Sequence, residues 1–122
     1  MSELTRVLVI DDNEDARTIV QLALEAEGFE VSVAENGSGA AAALREWGAR
    51  IVVTDILMPE QDGVETIAQL REEFPDVEII AVSGAFSLAG FDYLAVPREL
   101  GAHILRKPFE MRELVALVRS LA

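Results

Sequence analysis

Ile51-Val52-Val53-Thr54-Asp55-Ile56-Leu57-Met58-Pro59, with Asp62-Gly63 close behind, decides how the chain is read. Three β-branched apolar residues and a threonine run into a single carboxylate, and the chain then turns. A continuous apolar run of this length marks a strand buried on both faces. A buried strand has no packing need for a carboxylate at its carboxyl end, so Asp55 is a candidate for chemistry. Polar residues also close the other predicted strands: Asp11 and Asp12 follow Val7–Ile10, Ser83 follows Ile79–Val82, and Lys107 follows Ile104–Arg106.

Working outward, the chain alternates strand and helix. After Asp11-Asp12-Asn13, a face of Ala16, Ile19, Val20, Ala23 and Leu24 at spacings of three and four predicts a helix that ends at Gly28. Glu30-Val31-Ser32-Val33 alternates polar and apolar, as an edge strand does. Asn36-Gly37-Ser38 is turn and cap chemistry, and the helix beyond it packs through Ala40, Ala43, Leu44 and Trp47 and stops near Gly48. A third helix packs through Val64, Ile67 and Ala68 and ends before Pro75. Val77–Val82 is another buried strand, broken by Ser83-Gly84. Between Ala85 and Leu100 the pattern is weakest. Phe91, Tyr93, Leu94 and Leu100 offer a helical face, but Pro97 inside it predicts a kinked or shortened helix. His103–Arg106 reads as a second edge strand. A last helix from about Glu110 packs through Met111, Leu114, Val115, Val118 and Leu121.

Five strand–helix units with short connections give an α/β fold: a parallel sheet with helices on both faces. The near-continuous apolar strands (first, third, fourth) belong at the centre and the mixed ones at the edges. The order 2-1-3-4-5 satisfies this and puts a crevice at the carboxyl ends of strands 1 and 3. Asp11, Asp12 and Asp55 meet there. Three ionised carboxylates in one crevice repel each other, and a hard cation such as Mg²⁺, with its preference for oxygen ligands, resolves the repulsion. One Asp can then serve as nucleophile toward a phosphoryl group. Lys107 neutralises charge on that group and Ser83 donates to its oxygens. Each residue alone has a plainer reading: a turn or helix cap for Asp11-Asp12, a turn for Ser83, a surface charge for Lys107. Their joint placement at four strand ends argues for a site. His103, the only histidine, reads as structural at its edge strand.

Composition narrows the function. The 122 residues suit one domain with its own core, and 22 acidic against 10 basic residues give a net charge of -12. That disfavours nucleic acid and anionic membranes as direct partners. There are no cysteines, which excludes disulfides and thiolate metal sites. No signal peptide or apolar run long enough to span a bilayer is visible, so a cytoplasmic location is expected.

At Val9-Ile10-Asp11-Asp12-Asn13, Thr54–Pro59 with Asp62-Gly63, Ala81-Val82-Ser83-Gly84-Ala85 and Lys107-Pro108-Phe109 the chain resembles the receiver domain of bacterial two-component response regulators. The resemblance covers residues 1–122 as a single receiver domain of flavodoxin-like order. It implies that Asp55 accepts a phosphoryl group from a histidine kinase or phosphotransfer protein. It further implies Mg²⁺ held by Asp12, Asp55 and the Leu57 carbonyl, with Asp11 on a metal-bound water. Ser83 and Lys107 would contact the phosphoryl group, and Lys107-Pro108 would be cis. Signalling is expected through the fourth helix, fifth strand and fifth helix to a downstream protein, as a monomer or a phosphorylation-dependent dimer, or the domain is a phosphate sink. Met1 and the completed last helix suggest a stand-alone chain with no output domain; the alternative is a fragment of a longer regulator or hybrid kinase. Three features depart from the family pattern. Ile104 replaces the frequent Tyr or Phe of an aromatic switch, the approach to the fifth strand is one residue short, and Pro97 falls in the fourth helix. They point to an unusual signalling face. Two other functions fit the residues less well: a small Mg²⁺-dependent phosphohydrolase, which would need a pocket the chain is too short to build, and an interaction module with a vestigial site, which has no reason to keep all five polar groups.

Overall fold

The computed structural model describes residues 4–56, 63–83 and 95–122. The elements alternate strictly: β1 (Arg6–Ile10), α1 (Glu14–Ala26), β2 (Glu30–Ala34), α2 (Gly37–Trp47), β3 (Ile51–Asp55), α3 (Gly63–Glu73), β4 (Glu78–Ser83), α4 (Ala95–Glu99), β5 (His103–Arg106) and α5 (Met111–Leu121). All strand pairings are parallel, and the sheet order is β2-β1-β3-β4-β5, as expected from the sequence. β1, β3 and β4 are buried almost throughout, while β2 and β5 are only half-buried. The polarity of each strand therefore matches its place in the sheet.

Because side chains alternate across a strand, each central strand feeds two cores. Leu8, Ile10, Val52, Ile79 and Ala81 pack with Ala40, Ala41 and Leu44 of α2 and Ile67 and Leu70 of α3. Val7, Val9, Ile51, Val53, Ile80 and Val82 pack on the other face with Leu24 of α1 and Leu114 and Val118 of α5. Both faces are covered, which is why these strands carry no wet side.

The helices end where local chemistry ends them. Asn13 caps α1 by accepting the Ala16 N–H, and Asn36 caps α2 by accepting the Gly39 N–H. Gly48 closes α2 with φ +77°, donating its N–H to the Leu44 carbonyl at 2.8 Å. A side chain there would be strained.

Two expectations change and a third is met. Ala68 is exposed, and α3 instead buries Thr66, Ile67 and Leu70. A methyl group has little to gain from burial, so the larger side chains set the rotation of the helix. Ile19 does not pack inward but is 58% exposed. As described, α4 is a short helix of five residues with Pro97 at its third position, the shortened helix that the proline predicts. Pro97 is buried, and its carbonyl accepts the Ala102 N–H at 3.0 Å. Leu100 packs on the α2–α3 core, whereas Phe91, Tyr93 and Leu94 lie outside the described residues. Among the described residues no helix is long and apolar enough to cross a membrane.

Candidate functional site

The strand register brings the candidate residues together. Ile10 pairs with Thr54, so Asp11 follows on β1 where Asp55 follows on β3. Asp55 is opposite Val82, one residue before Ser83, and Ser83 is opposite Arg106, one residue before Lys107. Four polar residues from four adjacent strands thus reach the same edge of the sheet, each within one residue of the level of its neighbour.

Asp55 is largely enclosed, with its side chain 13% exposed, and its Oδ2 accepts a hydrogen bond from Lys107 Nζ at 3.0 Å. Ser83 is buried. Its carbonyl accepts the Lys107 N–H at 2.8 Å, so the two residues are joined through the backbone. The Lys107–Pro108 peptide is cis, as the resemblance implied.

Asp11 is held at three points. Its N–H donates to the Ala34 carbonyl at 3.2 Å. Its Oδ1 accepts the Asn13 N–H at 2.9 Å, and its carbonyl accepts from the Arg17 guanidinium at 2.8 Å. Burial raises the Asp11 carboxyl above its ordinary pKa; the Asn13 N–H opposes this, the charge of Asp55 adds to it, Lys107 lowers it and Asp12 raises it. Beside these groups lies a hollow of about 190 Å³, with Val9, Val53, Val82, Phe109 and Met111 in its walls. Asp12 is exposed. Leu57 lies outside the described residues.

This donor set suits a hard cation. Asp55 and Asp12 both penalise the charge on Asp11, so negative charge is in excess at this edge despite Lys107. Among the described residues no three or more His, Asp or Glu side chains form a ready-made metal cage. Mg²⁺ needs none, because it takes one or two carboxylates and fills its shell with waters and phosphate oxygens.

His103 is placed elsewhere. It begins β5, at the amino ends of the strands, and its Nε2 lies 2.9 Å from Glu78 Oε2. The residue that sequence reasoning passed over is Arg17. An arginine in the first turns of a helix reads as a solvated charge, and its only signal was its place four residues after the Asn13 cap.

Comparison with known proteins agrees with this geometry. The model of the response regulator receiver domain matches residues 7–119. The chain is 36% identical over 118 residues to the response regulator receiver protein CpdR of Brucella abortus (strain 2308), covering 97% of each. It is 38% identical over 117 residues to the transcriptional regulatory protein PrrA of Mycobacterium tuberculosis, covering 95% of this chain but 49% of that protein. It thus spans nearly all of the first relative and about half of the second. A crystal structure of a response regulator receiver protein from Pseudomonas putida superposes with TM-score 0.89 at 27% identity, covering 98% of this chain and 99% of that one. With the sequence match, the sheet order and the shared backbone in agreement, the chain belongs to the response regulator receiver domain family, whose members are signalling phosphoacceptors rather than classical enzymes.

Proposed function

We propose that Asp55 is the phosphoacceptor, taking a phosphoryl group from the phosphohistidine of a histidine kinase or phosphotransfer protein. The observation that carries this reading is the Asp55–Lys107 contact of 3.0 Å at the converging strand ends. A carboxylate oxygen of Asp55 attacks phosphorus, the P–N bond breaks, and the donor imidazole leaves. An acyl phosphate remains on Asp55, and water later hydrolyses it. Lys107 lies within reach of the charge that develops on the phosphoryl oxygens, and the Ser83 hydroxyl donates to one of them. Asp12 and Asp55 would ligate Mg²⁺, with the Leu57 carbonyl beside them and Asp11 on a bound water. When bound, the ion neutralises the carboxylates and the transferring group.

The output follows from the same contacts. Drawing Lys107 and Ser83 toward a phosphoryl group moves the ends of β4 and β5, and with them the face of α4, β5 and α5. Ile104 is half-buried against the α2–α3 core. It has no ring to swing between an inward and an outward position, so the signal on this face is carried by backbone movement. A downstream protein reads it.

The test is intact mass after incubation with a small acyl-phosphate donor and Mg²⁺. The wild type gains one phosphoryl group, and Asp55→Asn or omission of Mg²⁺ abolishes the gain. A wild type that neither forms the adduct nor binds a fluoride mimic of the phosphoryl group would overturn the reading.

A further inference from the structure

We propose that Arg17 is a positioning residue that sets the Mg²⁺ affinity of the site by fixing the peptide between Asp11 and Asp12. The inference rests on the phosphoacceptor reading above. Its basis is the way the β1–α1 turn is held. The N–H of Asp11 is tied to β2 through the Ala34 carbonyl, and its carboxylate is tied to the Asn13 N–H. The remaining handle is the Asp11 carbonyl, which carries the orientation of the following peptide and hence the direction in which Asp12 leaves the chain. Arg17 takes that carbonyl at 2.8 Å from the side of α1. Asp12 is exposed and makes no hydrogen bond among the described residues, so nothing else in the described structure orients it. Arg17 is itself fixed: its backbone N–H donates to the Asn13 carbonyl at 3.0 Å, and Asn13 Oδ1 caps the same turn through the Ala16 N–H. The guanidinium reaches the carbonyl from a rigid first turn, not from a loose surface.

Two effects of removing Arg17 have opposite signs, which makes the inference sharp. A guanidinium is a positive charge close to a cation site, and by Coulomb's law alone its loss tightens Mg²⁺ binding. Groups that orient metal ligands, when removed, typically weaken affinity by about 10- to 100-fold. The proposal requires the second effect to win.

The experiment is calorimetric titration of Mg²⁺ into the unphosphorylated protein, with thermal melts in parallel. Arg17→Gln, which removes the charge, is expected to raise the Mg²⁺ dissociation constant roughly 10-fold. Arg17→Lys keeps one donor and the charge and recovers most of the loss. If Arg17→Gln melts below the assay temperature, Arg17→Met, which retains the packing of the aliphatic stem, takes its place. Equal or tighter Mg²⁺ binding by the variant that lacks the guanidinium overturns the positioning role while leaving the phosphoacceptor reading intact. A wild type that binds no Mg²⁺ overturns both.

Discussion

Asp11 shows how a single residue trades stability for ligand binding. Its carboxyl is raised above its ordinary pKa, first by burial and then by the charges of Asp55 and Asp12. A raised carboxyl means that the native state holds the proton more tightly than the unfolded chain, so stability falls as pH rises from the ordinary carboxylate value through the raised one. Above that window the ionised Asp11 is a standing cost, and below it the cost vanishes. Asp11→Asn keeps an oxygen for the Asn13 N–H and removes the charge. In metal-free buffer the variant should therefore melt higher than wild type at pH 7 and alike at pH 3, by calorimetry at the two pH values. A wild type that matches the variant at pH 7 would mean the crowding of carboxylates is relieved by solvent. The role of Arg17 was hidden in the sequence for a reason at this same scale. Its partner is a backbone carbonyl, and carbonyls leave no mark in a list of residue types.

At the scale of elements, most of the fold was legible. Strand polarity tracked burial: Val7–Ile10, Ile51–Val53 and Ile79–Val82 lie in the interior, and the alternation at Glu30–Val33 marked an edge. Helix faces were less legible. Val64 and Ile67 face the core as expected, but Ala68 does not, while Thr66 and Leu70 do; these are overlapping arcs of one helix, and the packing chooses between them. Caps were readable because they depend on adjacent residues. Asn36 accepts both the Gly39 N–H at 3.2 Å and the Ser38 hydroxyl at 2.6 Å. Asn36→Ala should cost about 1 kcal/mol of folding stability in urea unfolding. Because α2 contributes nothing to the site, acyl-phosphate formation at Asp55 should continue at the wild-type rate.

The whole molecule carries a net charge of -12, and the surface ion pairs cannot offset it. The pairs of Arg6 with Glu30, Arg45 with Glu73 and Arg119 with Glu27 are all substantially exposed, where each is worth about 0–1 kcal/mol. Self-repulsion of the compact state should therefore dominate the response to salt. Raising NaCl toward about 0.5 M, where the Debye length shortens well below its ~10 Å at 0.1 M, should raise the Tm. A Tm that falls on adding NaCl would show that these pairs outweigh the repulsion.

The backbone bond from the Lys107 N–H to the Ser83 carbonyl has a mechanical corollary. Two side chains on different strands are usually separate fingers, each free to close on its own. Here they share a knuckle. A pull on the backbone of one strand end therefore reaches the other, even though each side chain still turns about its own χ angles.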